Sequence, residues 1–551
     1  MLRIKREWGC IVIAGRLIRR TWNNIFRTTS NKNAGNKPNE SNKENQKLFP
    51  SIEDNVQTIK NLLGNSTDIV FRRLKIGSKN KLKICIIYTD NLIDTLALQE
   101  LIDALLNNMT DDDLDINIAT GDPVNVLIEK VVTVGGAAEV EDFTTLITNV
   151  LSAQAAILIE NQSQAITVNI PGFDKRSIEE PQSATLIKGP RDGFIESIGT
   201  NTSLLRRRIR SANLWMESKE IGRISKTKVV VAYIKGIANE DVVQEVHKRL
   251  DRINIDAILE SGYIEELIQD ETFTPFPTIF NTERPDAVAG KLLEGRVAIL
   301  VDGSPFVMVV PSLIIEFFQA SEDYYMRADI STLLRLLRFF CFFLALIAPS
   351  LYIAVLTYHQ EMLPTTLLIG LAAQREGVPF PAFVEALMME VAFEILREAG
   401  VRMPRAVGQA MSIVGALVLG QAAVQAGLVS PAMVIVVSLT AIANFCFPSI
   451  NLATTVRMLR FGMMTLAAIF GLIGIMFGLI LLCIHVSTLR SFGVPYTTPA
   501  APFILQDQKD VFFRIPWWGM FSRPRLISQT NVIREQNNPT PKPEARKSEN
   551  S

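Results

Sequence analysis

Four acidic residues lie in one segment that is otherwise long and apolar enough to cross a bilayer. The segment covers residues 380–399, FPAFVEALMMEVAFEILREA. At 100° per residue, Glu390, Glu394 and Glu398 form a stripe on one helix face, and Glu385 lies about 140° from Glu390. A carboxylate in lipid costs several kcal/mol, so this stripe must face water, protein or a partner charge.

Two interpretations of the stripe stay open. In the first, the carboxylates line a pore or ion path, for which Glu385, Glu390 and Glu394 are the candidates. In the second, the helix lies at the membrane interface and its carboxylates pair with nearby basic residues, namely Arg397, Arg402 and Arg405.

A second candidate for pore lining surrounds a proline. Pro448 interrupts an apolar run between Asn444 and Asn451. Non-helical backbone at membrane depth is tolerated only where it lines a cavity or is buried in protein. Asn444 and Asn451 therefore stand beside the carboxylates as pore candidates.

Small residues form two stripes at helical spacing. One carries Gly420 and Gly427, and the other is the GxxxG pair Gly474 and Gly478. Such faces let helices approach closely in lipid. We predict helix packing at these glycines, either within one subunit or between the subunits of a homo-oligomer.

The elements that must position these residues belong to a membrane domain. Runs without Asp, Glu, Lys or Arg cover 339–357, 406–456 and 461–489. A bilayer core takes about 20 apolar residues per helix, so the runs predict spans. We predict four to six helices over 330–490.

Composition sets the other boundaries. Residues 1–50 form a basic, largely disordered extension, and a water-soluble α/β domain covers 51–320, with a predicted break into two small subdomains near 171–210. A post-membrane segment follows over 491–532, and 533–551 is a disordered tail.

The soluble part shows strand-like runs between helical patterns. The runs KLKICIIY, AAILIE, AITVNI and KVVVAYI alternate with amphipathic stretches over 92–106 and 240–250. Two hydrophobic runs within 294–311 flank Asp302-Gly303, which predicts a hairpin. No P-loop or G-x-G-x-x-G stands here. The predicted fold class is an α/β soluble domain followed by an all-α polytopic membrane domain, and no enzyme is predicted.

Charge and cysteine usage exclude further classes. The 56 Lys and Arg balance 56 Asp and Glu, which argues against a nucleic-acid partner. The five cysteines and three histidines are scattered without metal-ligand spacing. We therefore predict no metal, no cofactor and no disulfide framework.

The arginines predict an orientation. Arg335 and Arg338 precede the first span, which places the soluble domain in the cytoplasm by the positive-inside bias. The same bias places Arg457 and Arg460 in a cytoplasmic loop. Arginines of the C-terminal segment favour the same side, which five spans cannot satisfy, so a further short crossing near 362–373 would restore the parity.

Several long segments resemble one protein family. They are GFIESIGTNTSLLRRRIR (193–210), ILESGYIEELIQD (258–270), PFPTIFNTERPDAVAGKLLEGRVAILVDGSPF (275–306), EILREAGVRMPRAVGQAMSIVGALVLGQAAVQAGLVSP (394–431) and VPYTTPAAPF (494–503). These segments resemble the A subunits of GerA-type spore germination receptors. The likeness runs from about residue 60 to 525 and excludes both tails.

The resemblance implies a multi-pass protein of the inner membrane of a bacterial cell or spore. It implies two partners, a transporter-like B subunit and a lipoprotein C subunit, in an oligomeric nutrient-gated channel that releases cations when germination starts. The family supplies no ligand motif, so the pore candidates come from the residues alone.

Three alternatives stay open. A relative, the stage V sporulation protein AF, shares the fold and is thought to amplify ion release without sensing nutrient. A secondary transporter would also suit intramembrane carboxylates and broken helices, although the sequence shows no internal repeat. A membrane scaffold without a pore is the third.

Overall fold

The computed structural model describes most of the chain between residues 46 and 534. The described residues are 46–76, 82–107, 136–172, 181, 186–402, 415, 420–529 and 531–534. The predicted N-terminal extension lies almost wholly outside them. The predicted partner Arg405 and nearly all of the predicted tail lie outside them as well.

The first α/β unit is an antiparallel sheet with helices on both faces. Its strands follow the order β1-β2-β4-β5-β3, with bounds β1 Ile69–Ile76, β2 Leu82–Thr89, β3 Ala137–Val140, β4 Gln154–Ile159 and β5 Ala165–Asn169. In the described part of this unit three helices accompany it, α1 Ile52–Leu62, α2 Thr95–Asn107 and α3 Phe143–Val150. Helix α2 packs on one face, and α1 with α3 packs on the other.

The second unit repeats this arrangement. Its strands are β6 Leu214–Ile221, β7 Thr227–Ile234, β8 Phe280–Thr282, β9 Val297–Val301 and β10 Val307–Val310, and its helices are α4 Ile198–Arg208, α5 Glu240–Asp251, α6 Ser261–Ile268 and α7 Pro285–Leu293. The order β6-β7-β9-β10-β8 is that of the first sheet shifted by five strands. The α/β part is therefore a structural duplication, with α5 and α6 on one face and α4 and α7 on the other.

The local sequence patterns predicted the strands and the turn that the structure contains. All four strand-like runs are strands, and Asp302-Gly303 lies in the turn between β9 and β10, which pair antiparallel. The helix expected over 92–106 begins three residues later, at Thr95. The carboxylate of Asp94 accepts from the backbone N–H of Leu96 at 2.9 Å, so the chain turns there before the helix begins.

Helices make up most of the described residues that follow. They are α8 Ala328–Tyr358, α9 Thr365–Arg375, α10 Ala382–Arg402, the short α11 Ala423–Gln425, α12 Pro431–Asn444 and α13 Ile450–Thr488. Within the described part of the chain, α8 and α13 are long and apolar enough to cross a membrane. The α/β fold class and its helical, apolar continuation are as predicted.

Helix α13 is two helices joined at a sharp break. Gly471 has φ +63° and ψ −137°, a backbone conformation that is essentially restricted to glycine. A Cβ added to Gly478 would lie 2.5 Å from the Sδ of Met463, on the other side of the break. The two halves therefore fold back on each other as an antiparallel hairpin.

Both ends of this hairpin lie beside the second α/β unit. The hydroxyl of Thr455 donates to the carbonyl of Pro275, and Thr274 Oγ1 lies 2.9 Å from His485 Nε2. The charge-free run 461–489 is thus not one continuous helix. The chain reverses direction at Gly471. The short crossing predicted near 362–373 coincides with α9, a helix of 11 residues, and stays a prediction.

The segment after α13 packs against the second α/β unit. Strands β11 Arg490–Ser491 and β12 Val494–Pro495 form a small ribbon. The Tyr496 hydroxyl donates to the Pro277 carbonyl at 2.8 Å, and Arg523 Nε donates to the Leu293 carbonyl at 2.7 Å. The C-terminal segment and the second α/β unit therefore lie at the same end of the helical region.

Candidate ion path in the helical region

Helix α10 lies among α8, α12 and α13. It turns its acidic stripe toward the first half of α13, because Glu390 meets Arg460 and Glu394 meets Arg457. The residue numbers rise on one helix while they fall on the other, so α10 and this half of α13 run antiparallel. Glu390 and Glu394 face protein and partner charges, two of the three environments that the sequence allowed.

The innermost pair is completely buried. Arg460 Nη1 donates to Glu390 Oε2 at 2.5 Å, and each side chain is 1% exposed. The contact uses one atom of each group. Glu390 Oε1 and the Nε and Nη2 of Arg460 have no hydrogen-bond partner within the described part of the chain.

The next pair lies one turn away and is partly exposed. Arg457 Nη1 donates to Glu394 Oε2 at 2.8 Å, and Arg397 Nε lies 3.4 Å from the same oxygen. The Glu394 side chain is 27% exposed. Glu398 pairs with Arg402 within α10 at 2.7 Å and is 58% exposed. The stripe thus runs from the buried interior to the surface.

Glu385 belongs to a different site, as its angular position predicts. Its Oε1 accepts from the Ser430 N–H at 2.6 Å and from the Ser430 hydroxyl at 2.5 Å. Ser430 caps the N-terminus of α12, and its Oγ lies 3.0 Å from the hydroxyl of Tyr352. The Glu385 carboxylate therefore joins α10, α12 and α8 through one buried cap.

The two candidate asparagines lie in different environments. Asn444, at the end of α12, is buried, and its Oδ1 has no hydrogen-bond partner among the described residues. Asn451, in the first turn of α13, is exposed. The structure therefore brings Asn444 into the helical interior and leaves Asn451 outside it.

The candidate packing glycines also divide. Gly474 and Gly478 face the opposite half of α13, and Gly427 has φ +65° with its added Cβ 2.9 Å from the Gly377 carbonyl oxygen. A Cβ added to Gly420 would meet nothing within 4 Å in this single chain. At Gly427, Gly474 and Gly478, the close approach of backbone and side chains is therefore within one subunit.

Arginines at the start of α8 anchor it to the α/β side. Arg335 Nη1 donates to Asp510 Oδ1 at 2.7 Å and its Nε donates to Asp323 Oδ2 at 3.1 Å. Arg338 adds two bonds to Asp323, at 2.7 and 2.9 Å. The arginines that predict orientation therefore also join α8 to the segments before and after the helices.

A small cavity lies beside this anchor. It holds about 60 Å³, and its lining includes Glu294, Asp507 and Lys509. Burial lowers the pKa of Lys509 to about 8 and raises the pKa of Glu294 and of Asp507 above their ordinary values. The Lys509 Nζ donates to the Ser522 carbonyl at 2.8 Å. The volume suits a few waters that would solvate these groups.

Sequence reasoning missed the roles of Arg457 and Arg460. It placed them in a cytoplasmic loop, whereas both are buried in α13. Their i, i+3 spacing puts them on one helix face, which matches the i, i+4 spacing of Glu390 and Glu394. That match is the signal that was present in the chain.

Comparisons with known proteins find similar sequences along most of the chain. Residues 57–526 match the family described as Bacillus/Clostridium GerA spore germination protein. The chain is 48% identical over 499 residues to spore germination protein KA of Bacillus subtilis (strain 168), which covers 90% of each chain. It is 43% identical to the uncharacterized membrane protein YfkQ of the same organism, covering 91% of this chain and 96% of that protein.

The chain is also similar to a solved structure. It is the crystal structure of the N-terminal domain of the A subunit of the Bacillus megaterium spore germinant receptor GerK3. The sequences are 40% identical, the match covers 49% of this chain and 98% of that chain, and the TM-score is 0.40.

Proposed function

The chain belongs to the Bacillus/Clostridium GerA spore germination protein family, and we propose that it is the A-type subunit of a nutrient germinant receptor whose helical region conducts cations. In this proposal several copies of the subunit surround one path, which opens when the receptor engages its nutrient and starts germination.

The observation that carries the channel proposal is the inward-facing acidic stripe. Glu390 is buried and Glu394 is mostly buried inside the helical region. Ionisable groups at membrane depth are expensive and are retained mainly for function or for pairing. Carboxylates around a shared axis would concentrate cations and disfavour anions.

The order of the helices supports a multi-pass arrangement. Helix α8 leads away from the α/β units, α10 and α12 lead back, and α13 leads out and returns at Gly471. The C-terminal segment lies at the same end of the helical region as the second α/β unit, because Tyr496 and Arg523 bond to that unit. In this proposal both lie on the cytoplasmic side, which the arginines before α8 favour.

Exposed apolar side chains support a membrane location. Phe340 on α8 is 62% exposed, and Ile473 and Phe477 on α13 are 70% and 52% exposed. Such surfaces suit lipid or a neighbouring membrane protein. The relative YfkQ carries the name of a membrane protein. We place the chain in the spore inner membrane, with a transporter-like B subunit, a lipoprotein C subunit and further copies of itself as partners.

Potassium release from spores tests the proposal. The host should carry one receptor operon, which includes this chain, and release is measured after a nutrient mixture is added. Glu394→Gln keeps the shape and removes the charge, so it should slow release while protein levels stay parental. Glu398→Gln is the matched control. It removes a charge one helical turn from Glu394, but that charge belongs to an exposed pair with Arg402. Glu385→Gln, on a different face, should slow release less than Glu394→Gln.

The other outcomes separate the alternatives. If neither Glu394→Gln nor Glu385→Gln alters release, the stripe is a structural ion-pair surface and Asn444 becomes the preferred path residue. If this host does not respond to nutrient, but a second host that carries another receptor releases potassium faster when the chain is present, the chain amplifies ion release and does not sense nutrient. If release persists without the chain, neither channel proposal holds.

A further inference from the structure

The arginines that contact the acidic stripe between α10 and α13 outnumber the carboxylates there. Glu390, Glu394, Arg397, Arg457 and Arg460 lie together between α10 and α13, and we name these five residues the α10–α13 cluster. Three arginines against two carboxylates leave one net positive charge. A cation approaching along the stripe would meet carboxylates that are already neutralised.

The innermost pair, Glu390 and Arg460, also makes few hydrogen bonds for two buried ions. Arg460 can form a two-point contact with a carboxylate, yet it donates through Nη1 alone, and its other two nitrogens have no partner among the described residues. Arg206, buried to the same degree, donates to both oxygens of Asp68, to Ser66 and to two carbonyls. A buried ion with unmade hydrogen bonds loses much of its stabilisation.

The geometry therefore leaves room for a second arrangement. Arg460 competes with any mobile cation for Glu390, because both need the same carboxylate and repel each other at short range. Displacing Arg460 breaks only one hydrogen bond of this pair. Arg457 holds the more exposed Glu394 in the same way, one turn nearer the surface.

Resting on the proposed channel function, we propose that Arg460 is a tethered counter-ion that closes the path by occupying Glu390. Arg457 extends this lock by occupying Glu394. Opening requires α10 and α13 to move apart far enough for the carboxylates to face permeant cations, and receptor activation would cause that movement. In this lock, the two arginines keep the cation leak through the resting channel low.

The test measures potassium release from spores before any nutrient is added. The host is the single-receptor strain carrying the full chain. Arg460→Gln removes the competing charge, and spontaneous release should rise by about tenfold or more, the scale on which a cleft of one charge sign enriches its counter-ion. Arg460→Lys keeps the charge and should leak far less than Arg460→Gln. Arg457→Gln, at a partly exposed pair, should raise spontaneous release by a smaller factor.

The outcomes separate this inference from the proposed function. If deleting the chain leaves nutrient-triggered release intact, the channel function fails and the lock fails with it. If deletion abolishes triggered release but Arg460→Gln, at parental protein levels, shows no spontaneous release, only the lock is wrong. Should Arg460→Gln not accumulate, Arg457→Gln decides, and an unchanged resting release in that variant overturns the lock.

Discussion

Asn201 makes in the second α/β unit the same pair of hydrogen bonds that Asn55 makes in the first. Asn55 bonds to the backbone of Phe49, accepting from its N–H at 2.8 Å and donating to its carbonyl at 2.6 Å. Asn201 bonds to the backbone of Ile195 in the same way, at 2.9 and 2.5 Å. Each asparagine is the fourth residue of its helix and reaches six residues back. The duplication therefore extends from strand order to single hydrogen bonds.

The two asparagines should contribute equally to stability. Asn55→Ala or Asn201→Ala leaves a backbone N–H and a carbonyl without a partner, which should lower the free energy of unfolding by about 1–3 kcal/mol in each case. Denaturant titration followed by Trp215 fluorescence measures it. The exposed Asn61→Ala on α1 is the control and should change the free energy by about 0.5 kcal/mol or less. A loss in only one unit would contradict an equivalent role.

A buried ion pair joins the two units. Arg206 Nε lies 2.9 Å from Asp68 Oδ2, and the two side chains are 0% and 5% exposed. Arg206→Met leaves the buried Asp68 charge without its partner and should lower the free energy of unfolding by about 3–5 kcal/mol. Arg73→Met breaks an exposed pair with Glu53 and should cost about 1 kcal/mol or less. Equal effects in the two variants would show that the Arg206 pair is no stronger than a surface pair.

The turn of α13 should depend on glycine. Gly471→Ala forces a side chain into φ +63° and into contact with Tyr358 and His359, so the folded yield in membranes should fall strongly. Gly462→Ala, in open space within the helix, should be neutral or stabilising. Tyr358→Phe removes the bond to the Ala468 carbonyl at 2.9 Å and should cost about 1 kcal/mol. A normal yield of Gly471→Ala would contradict the hairpin.

Two glycines separate packing within the chain from packing between chains. Gly478→Leu pushes into Met463 across the hairpin and should destabilise the single subunit by about 1–3 kcal/mol. Gly420→Leu meets open space in one chain, so it should accumulate normally. If Gly420 lies between subunits, crosslinking of that variant will show a weaker oligomer ladder. An unchanged ladder would assign the Gly420 face to lipid.

Lys509, which lines the cavity beside the α8 anchor, should make the folded protein more stable at alkaline pH. Burial lowers the pKa of Lys509 from 10.5 to about 8. Between these values the unfolded chain binds a proton that the folded chain does not, so the contribution of Lys509 to stability rises with pH across this window. Lys509→Met should remove that rise. Thermal unfolding of both proteins from pH 7.5 to 10 measures the difference, and parallel curves would contradict the burial effect.

The sequence by itself determined the local elements and the division of the chain. Period-2 runs became strands, the α5 pattern buried Val242, Val243 and Val246, and charge-free runs marked the apolar helices. The same reasoning placed Glu385 on a different face from Glu390. These features follow from the chain because residue spacing sets which side chains share a face, whatever the distant partners are.

Only the tertiary structure decided the partners. Arg460 lies 70 residues beyond Glu390, and Asp510 lies 175 residues beyond Arg335. Nothing local predicts these pairings, because an arginine beside an apolar run serves equally well as an orienting surface charge or as a buried counter-ion. The break at Gly471 was hidden for a similar reason, since glycine is tolerated within apolar helices and its positive φ arises when two halves of a helix pack together.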